Sequence, residues 1–316
     1  MMNERMRIPV AAVVGPTASG KSRLAVELAL RRGGEVISAD SMQIYQGMSI
    51  GTAKPTEEEM CGVPHHLIGF APLSHSFSVA DYVPLAAQCI AEVRERGNLP
   101  ILAGGTGLYV RSLLQNIDFA ETDRDDALRA QLQEQAQREG TEPLMEELRR
   151  IDPESAARIH PNNIPRVIRA IEIYRTTGAT MTEQLARSRQ TPTPYRSCVI
   201  GLDFRDRAVL YDRINRRVDD MMASGLLEEA REVLSQHSET ALQAIGYKEL
   251  QPYFSGDCTL EQAAERIKQE TRHYAKRQLT WFRRDQNIHW LFVDDYSEFE
   301  ELAAQALRLL DETFGG

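Results

Sequence analysis

Apolar residues along this chain follow two patterns with different periods. Short unbroken apolar runs occur at Ile8–Val14, Val36–Ala39, Leu99–Ala103, Ser197–Phe204 and Ile288–Val293. Runs of this length predict strands that are buried on both faces, and the segments between them show helical spacing. Because strands that alternate with helices pair in parallel, the pattern predicts an α/β fold, a parallel sheet covered by helices.

The alternation stops between about residues 120 and 190, where no run is typical of a strand. Apolar residues recur there at helical spacing, at Leu128, Leu132 and Ala136 and again at Leu144, Leu148 and Ile151. The sequence Thr191-Pro192-Thr193-Pro194 favours a stiff return linker. We therefore predict an inserted all-helical domain of residues 120–192 within an α/β core of residues 1–119 and 193–316.

Composition narrows the class of protein. The chain has 316 residues, 42% hydrophobic and 26% charged, and no apolar run is long enough to span a bilayer. The four cysteines form no C-x-x-C pair, which favours buried thiols in a reducing cytoplasm over a zinc or redox site. We expect a cytoplasmic protein without a membrane segment.

Charge is unevenly distributed. The net charge of −9 argues against a generic nucleic-acid binder, yet two stretches are strongly basic. Residues 158–196 carry seven arginines and two acidic residues, and residues 266–284 carry seven basic residues and one glutamate. This distribution is compatible with one focused site for a polyanion.

The segment after the first predicted strand matches the phosphate-binding P-loop. It consists of Gly15, Pro16, Thr17, Ala18, Ser19, Gly20, Lys21 and Ser22. Glycines allow successive N–H groups to point at a phosphate, and the following helix adds the positive end of its dipole. Lys21 supplies a mobile charge and Ser22 a hydroxyl for Mg²⁺. The motif predicts a polyphosphate or diphosphate ligand without identifying it.

Two further polar segments follow predicted strands, at the edge of a parallel sheet where ligands bind. Asp40 follows the second strand and could ligate Mg²⁺, act as a general base or cap a turn. Thr106, among three glycines after the third strand, could cap a helix or donate to a bridging phosphate oxygen. That strand lacks the acidic residue of a typical Mg²⁺-dependent NTPase, which weakens an ATPase interpretation.

The second basic stretch combines charge with aromatic residues. On a helix, Arg272, Lys276 and Arg283 would cluster, and Trp281 and Phe282 alternate with them. Such a surface suits single-stranded nucleic acid, although a solvated basic helix with core aromatics is the alternative. The adjacent His65 and His66 do not favour a metal site, because neighbouring residues seldom face one ligand.

Together these segments resemble the tRNA dimethylallyltransferase family, also called tRNA isopentenyltransferases, of bacterial type. The resemblance runs in order from about residue 8 to 293, and the combination of G-T-A-K-P at 51–55 with K-R-Q-L-T-W at 276–281 makes it specific. The other matching segments are the P-loop, S-A-D-S at 38–41, P-H-H-L at 64–67, G-G-T-G-L-Y at 104–109, R-I-H-P-N at 158–162 and A-I-G-Y at 244–247.

The resemblance implies an enzyme that moves a dimethylallyl group from dimethylallyl diphosphate to N6 of adenine 37 in tRNAs reading codons that begin with U. It implies Mg²⁺ as cofactor, pyrophosphate as by-product and the tRNA anticodon stem-loop as partner. We further expect a monomer. Asp40 would be the general base, Thr106 would contact the diphosphate, and residues 15–22 would bind it. The implied tRNA contacts are Asp40, Ser41, Met42, Gln43, Thr106, Arg166, Arg169, Gly246, Lys248, Lys276, Arg277, Gln278, Trp281 and Arg283.

One position departs from the family pattern. Many relatives have glutamine where this chain has Pro165, so the side-chain contact expected there cannot form, whereas Arg166 and Arg169 remain. Two other classes of function stay open on the residues alone. A P-loop kinase of a small metabolite would bind ATP, and a non-catalytic RNA-binding switch would bind a nucleotide without transferring a group.

Overall fold

The computed structural model describes residues 7–117, 125–188, 191–236 and 243–315. Within these residues one sheet of parallel strands has the order β3-β2-β4-β1-β5-β6. The strands are β1 (Ile8–Val14), β2 (Gly34–Ser38), β3 (His65–His66), β4 (Leu99–Gly104), β5 (Tyr195–Asp203) and β6 (Ile288–Phe292). The predicted α/β fold with a parallel sheet is confirmed.

Helices connect the strands and cover the sheet. The core helices are α1 (Lys21–Arg32), α2 (Glu57–Met60), α3 (Val79–Glu95) and α4 (Gly107–Leu114), followed after the insertion by α10 (Arg207–Ala223), α11 (Leu226–Ser235), α12 (Gln251–Phe254), α13 (Leu260–Phe282) and α14 (Phe299–Phe314). The inserted segment contains α5 (Asp126–Glu139), α6 (Glu142–Ile151), α7 (Pro153–Arg158), α8 (Ile164–Thr177) and α9 (Met181–Ser188).

The central strand β1 is apolar on both faces because both faces are covered. Its alternate residues pack into two different clusters: Ala11 and Val13 lie with α1 and α14, and Val10 and Ala12 lie with α3 and α4. Its neighbours are β4 and β5, with Val14 opposite Gly104 on one side and Gly201 on the other. This register aligns the carboxyl ends of the strands that carry the polar segments.

The chain divides into two compact units. Unit 1 consists of Met1–Leu114 and Pro194–Gly316, and unit 2 consists of Gln115–Thr193. Unit 2 has its own core, in which Leu132 of α5, Leu144 and Leu148 of α6 and Ile171 of α8 are buried together. The helical spacing predicted for this segment is therefore the spacing of its core residues.

The predicted strands all exist, with ends that differ from the prediction by at most two residues. The short edge strand β3 was not predicted, because two residues that pair with Val36 and Ile37 leave no periodic pattern in the sequence. Among the described residues, no helix is both long enough and apolar enough to cross a membrane.

Candidate active site

Four strands of the sheet end at the same edge, and each is followed by a polar segment. The P-loop follows β1, Asp40 follows β2, Thr106 follows β4, and Asp203 is the last residue of β5. Because these strands are neighbours in the order β2-β4-β1-β5, the predicted catalytic residues and the P-loop lie along one edge. The three predicted segments at strand ends therefore lie in one region of unit 1, and Asp203, which was not predicted, joins them there.

The P-loop has backbone conformations that require glycine. Gly15 has φ 139°, and a Cβ there would lie 2.5 Å from the carbonyl oxygen of Leu202 on the neighbouring strand. Gly20 has φ 92° and stands at the N-terminus of α1. Ser19 donates from its hydroxyl to the carbonyl oxygen of Pro16 at 2.8 Å, which closes the loop. The loop thus presents the free N-terminus of a twelve-residue helix to the edge of the sheet.

Lys21 lies inside this loop in an unusual electrostatic environment. Its Nζ donates to the carbonyl oxygen of Pro16 at 2.6 Å. Burial and the nearby charge of Arg217 lower the pKa of Lys21 to about 7, although the charge of Asp40 acts in the opposite direction. Such a lysine lacks a full counter-charge in the protein and is suited to an anionic ligand.

Two arginines of α10 reach the P-loop and were not predicted from the sequence. Arg213 donates from Nε to the carbonyl oxygen of Ala18 at 2.9 Å. One turn later, Arg217 lies in the field of Lys21 and Asp40, and its burial lowers its pKa. Their spacing of four residues places both on one face of the helix. The site therefore concentrates two arginines and Lys21 around the P-loop.

Asp40 is oriented by the backbone that follows it. Its Oδ1 accepts hydrogen bonds from the backbone N–H groups of Met42 at 2.9 Å and Gln43 at 3.4 Å. Oδ2 takes no part in these bonds. The Gln43 side chain in turn donates from Nε2 to the carbonyl oxygens of Thr52 at 3.1 Å and Ala53 at 3.0 Å. Asp40 thus has a fixed orientation and remains partly exposed.

Thr106 is joined to the segment after β2. Its Oγ1 accepts from the backbone N–H of Ser41 at 3.0 Å and donates to the Ser41 hydroxyl at 3.3 Å. Its own backbone N–H donates to the carbonyl oxygen of Ala39 at 3.1 Å, while Tyr109 and Val110 of α4 donate to the Thr106 carbonyl. Thr106 therefore stands at the start of α4 and holds the Asp40 segment beside β4.

The glycines around Thr106 give space to side chains of α13. A Cβ on Gly105 would lie 1.9 Å from Nε2 of Gln278, and a Cβ on Gly107 would lie 2.0 Å from the Trp281 ring. Gln278 is buried, accepts from the backbone N–H of Thr17 at 2.9 Å and donates to the Gly105 carbonyl at 3.0 Å. The structure shows Gln278 bonded within the protein, and its contact with tRNA stays a prediction.

Tyr274 adds a hydroxyl to this cluster that no motif indicated. It lies one turn before Gln278 on α13, so both face the same side of the helix. Burial raises the pKa of Tyr274, and the charge of Asp40 adds to this, while the side chains of Thr106 and Gln278 within hydrogen-bonding reach act against it. The phenol is therefore protonated near neutral pH and is a hydrogen-bond donor in the site.

The basic residues of α13 line an open groove of about 340 Å³ at its C-terminal half, formed by His273, Lys276, Arg277, Thr280, Trp281 and Arg284. The helix ends at Phe282, and Arg283, its C-cap, does not line this groove. Arg283 donates to the buried carboxylate of Asp203 at 2.6 Å, and about half of its side chain stays exposed. Lys276, Arg277 and Trp281 thus share one surface of cationic and aromatic groups. Phe282 is instead buried in the core, and Arg272 bonds to Asn215 and Glu265, so neither joins that surface as expected.

The remaining predicted tRNA contacts differ in their surroundings. Within unit 2, Arg166 is exposed near the start of α8, next to Pro165. Arg169 forms an ion pair at 2.8 Å with Glu172, whose side chain is fully buried. In unit 1, Gly246 has φ 100°, and Lys248 lies 3.5 Å from the buried carboxylate of Glu249.

The paired histidines lie apart from this edge: His65 is hydrogen-bonded through Nδ1 to the Val63 carbonyl at 2.8 Å, and His66 belongs to a cluster around Glu35 near the start of β2. His66 is hydrogen-bonded through Nε2 to Glu35 at 2.6 Å, and Arg96 and Asn98 donate to the same carboxylate. The hydrogen bond from Arg96 contributes most to lowering the pKa of Glu35, to about 2. In the described parts of the chain, no group of three or more His, Cys, Asp or Glu residues could hold a metal ion.

The fold and the site define a P-loop protein whose phosphate loop is paired with a carboxylate and a hydroxyl at the same edge of the sheet. A family model described as IPP transferase matches residues 43–285, which is more than half of the chain. The chain belongs to this family. The matched segment begins after the P-loop, so the P-loop motif is evidence independent of that match.

Individual relatives agree with the family match. The tRNA dimethylallyltransferase of Thermoanaerobacter sp. strain X514 is 46% identical over 310 residues, which cover 96% of this chain and 98% of the relative. The tRNA dimethylallyltransferase of Bacillus subtilis strain 168 is 50% identical over 284 residues, covering 89% of this chain and 90% of the relative.

Solved structures show the same architecture. The full-length tRNA isopentenylpyrophosphate transferase from Bacillus halodurans is 46% identical, with a TM-score of 0.71 over 97% of this chain and 98% of that one. A eukaryotic dimethylallyltransferase acting on tRNA is 29% identical, with a TM-score of 0.80 over 95% of this chain and 77% of that one. The similarity extends over the inserted segment as well as the core.

Proposed function

We propose that this protein is a tRNA dimethylallyltransferase. It transfers a dimethylallyl group from dimethylallyl diphosphate to N6 of adenine 37 in tRNAs that read codons beginning with U, and it releases pyrophosphate. The observation that carries the proposal is the combination at one sheet edge of a P-loop cation cluster with Asp40 and Thr106. The relatives that share this architecture are named for transfer of the same group to tRNA.

The cations suit the leaving group. Lys21, Arg217 and the N-terminus of α1 surround the place where the P-loop would hold the diphosphate. As the bond between C1 of the dimethylallyl group and the bridging oxygen breaks, both bonding electrons leave with the oxygen. Positive groups aimed at that growing charge lower the barrier. The Thr106 hydroxyl lies at the same edge, and we propose that it gives up its 3.3 Å hydrogen bond to the Ser41 hydroxyl and donates to the bridging oxygen instead.

Asp40 suits the attacking side. The exocyclic amine of adenine is a weak nucleophile, so its proton must be taken as the new N6–C1 bond forms. Oδ1 of Asp40 is occupied by the Met42 and Gln43 amides, which leaves Oδ2 to accept that proton. The products are the N6-substituted adenine, pyrophosphate and protonated Asp40, so atoms and charge balance. The adenine must leave the stacked anticodon loop to reach this site.

Mg²⁺ is the cofactor we propose, and the residues fit it. Mg²⁺ prefers oxygen ligands, and it usually takes few of them from the protein and the rest from phosphates and water. Ser22, in the first turn of α1, is exposed, and its hydroxyl enters no hydrogen bond within the described part of the chain. When bound, the ion would add positive charge beside the diphosphate. Ser22, with the diphosphate itself, would hold it.

The basic surfaces suit the second substrate. Lys276, Arg277 and Trp281 line one groove and offer charge for phosphates and an aromatic face for a base. Arg166 offers an exposed guanidinium on unit 2. We propose that these surfaces contact the anticodon stem-loop, that the protein acts as a monomer, and that it works in the cytoplasm.

A labelling experiment tests the proposal. Purified protein is incubated with Mg²⁺, dimethylallyl diphosphate labelled with ¹⁴C in the dimethylallyl group, and a transcribed tRNA that has adenine at position 37. We expect label in the tRNA, and nuclease digestion followed by mass spectrometry should find it on N6 of one adenosine. The matched control is the same tRNA with guanine at position 37, which should stay unlabelled. Transfer of phosphate from γ-labelled ATP to a small metabolite, without labelled tRNA, would instead support the kinase alternative.

A further inference from the structure

Glu229 of α11 binds a run of backbone amides in a loop that the proposed mechanism does not use. The loop of residues 48–54, which we call the Gly51 loop, contains most of the G-T-A-K-P motif. The backbone N–H groups of Ser49 and Ile50 donate to Oε2 of Glu229 at 2.9 and 2.8 Å, and that of Gly51 donates to Oε1 at 2.9 Å. Three successive amides thus converge on one carboxylate.

A fourth donor completes this arrangement. The Tyr247 hydroxyl donates to Oε1 of Glu229 at 2.8 Å, and the Tyr247 side chain is fully buried. The Tyr247 ring lies against the Gly51 loop so closely that a Cβ on Gly51 would be 2.6 Å from it. Only a carboxylate offers two oxygens that accept and none that donates, so a glutamine would turn an NH₂ group toward one of these donors.

Hydrogen bonds through Gln43 connect the Gly51 loop to Asp40. Its carbonyl oxygens of Thr52 and Ala53 accept both hydrogen bonds from the Gln43 amide nitrogen. The backbone N–H of Gln43, with that of Met42, then donates to Oδ1 of Asp40. A continuous series of hydrogen bonds therefore runs from Glu229 through the Gly51 loop and Gln43 to the carboxylate that takes the proton.

We propose that Glu229 is a positioning residue for the transfer reaction, holding the Gly51 loop so that Gln43 fixes the orientation of Asp40. This inference rests on the proposed function for its kinetic consequence. The inference does not involve the P-loop, because among the described residues the hydrogen-bond donors to the Glu229 carboxylate lie in the Gly51 loop and at Tyr247. Glu229 should therefore act on the rate of transfer and leave binding of dimethylallyl diphosphate unchanged.

The test compares Glu229→Gln with Glu228→Gln, a matched change at an exposed neighbour on the same helix. We expect Glu229→Gln to lower kcat on the order of tenfold or more, because small displacements of a catalytic group cost this much. The Kd for dimethylallyl diphosphate should stay within about twofold of wild type, since the P-loop is untouched. Glu228→Gln should behave as wild type. Glu229→Asp, which keeps the charge, should recover part of the loss.

A double-mutant cycle tests the route through Gln43. If Glu229 acts through that side chain, Glu229→Gln combined with Gln43→Ala should be little worse than the more severe single variant. Effects on kcat that multiply independently would overturn the proposed route. Tyr247→Phe removes one of the four donors and keeps the three loop amides, so it should lower kcat less than Glu229→Gln does. An equal decrease in kcat would also count against the proposed route.

Hydrogen exchange separates this inference from the proposed function. In the wild-type protein the amides of Ser49, Ile50 and Gly51 should exchange slowly, and Glu229→Gln should speed their exchange while distant strands stay protected. Fast exchange of these amides in the wild type, or unchanged exchange in a folded variant, would overturn the inference. Failure of the wild type to modify tRNA would instead overturn the proposed function, and the exchange result would still decide whether Glu229 holds the loop. Should Glu229→Gln not fold, Glu229→Asp and Tyr247→Phe supply both measurements.

Discussion

The side-chain oxygen of Gln278 accepts a hydrogen bond from the backbone N–H of Thr17 at 2.9 Å, and so ties α13 to the phosphate loop. The nitrogen of the same amide donates to the carbonyl oxygen of Gly105 beside Thr106. One buried side chain therefore sets the distance between the loop that would hold the diphosphate and the loop that would assist its departure.

The first prediction concerns this amide. Gln278→Glu turns a carboxylate oxygen toward the Gly105 carbonyl and adds negative charge beside the diphosphate. We expect the KM for dimethylallyl diphosphate to rise on the order of tenfold, because like charges repel in a buried site. Steady-state kinetics measure this, with Gln251→Glu at an exposed position as the charge-matched control. An unchanged KM would show that Gln278 lies too far from the diphosphate to affect it.

The second prediction concerns the protonation of Lys21. Its pKa of about 7 in the free protein means that the amine loses its proton as the pH rises through neutrality. A diphosphate prefers the charged amine, so binding above pH 7 should take up a proton, and affinity should fall by up to about tenfold per pH unit. Calorimetry in buffers of different ionisation enthalpy measures the uptake. Lys21→Met should bind weakly and take up no proton at this site.

The third prediction separates chemistry from binding at Asp40. Asp40→Asn keeps an oxygen that can accept from the Met42 and Gln43 amides but removes the base. We expect kcat to fall by about 10²–10⁴-fold, the usual contribution of a general base, while both substrates still bind. Single-turnover transfer and filter binding of tRNA give the two quantities. A variant with nearly wild-type turnover would assign the proton to another group.

The fourth prediction distinguishes two arginines of α8 that the sequence placed together. Arg166 is exposed, so Arg166→Ala should reduce the slope of log affinity for tRNA against log salt by about 0.7–0.9 and leave the melting temperature unchanged. Arg169 instead pairs with buried Glu172, so Arg169→Ala should lower the free energy of unfolding by about 1–3 kcal/mol. Melting curves and salt titrations of both variants compare the two effects.

The stability that Arg169→Ala removes should depend on pH in a direction set by the pKa of Glu172. Burial of Glu172 favours the neutral acid, but hydrogen bonds from Arg169 and Arg129 prevail and hold the pKa of Glu172 below its ordinary value. A carboxyl group of this kind stabilises the fold at neutral pH, and that stabilisation disappears as the pH falls through its pKa. The difference in stability between wild type and Arg169→Ala should therefore shrink in acid. A difference that persists at low pH would mean that packing, and not charge, is its origin.

The strands and the two polar segments could be predicted because each leaves a local signal. Buried parallel strands produce apolar runs, and the glycines of the P-loop are required by backbone angles that few other residues adopt. The position of Asp40 and Thr106 at strand ends follows from the topology of a parallel sheet. The resemblance to a family then supplied roles that the residues alone left open.

Other parts of the site leave no local signal. Arg213 and Arg217 are two of several basic residues on α10, and only packing determines which of them face the P-loop. The sequence pattern does not distinguish Glu229 from an ordinary surface glutamate of an amphipathic helix, because its partners lie in a distant loop. The ion pair between Arg283 and Asp203, which lie just after α13 and at the end of β5, is equally absent from any local pattern. These relationships depend on residues far apart in sequence, which periodicity cannot show.

The hydrogen bond between Thr17 and Gln278 joins positions 261 residues apart. During synthesis the phosphate loop therefore emerges long before the side chain that fixes it, and β5 and α13 follow only after the whole inserted segment. Contacts of such long sequence separation form late, because closing the intervening chain is entropically costly. A ribosome-bound chain that stops before α13 should have its phosphate loop but not the geometry to use it. The phosphate loop would therefore reach its final geometry only near completion of the chain.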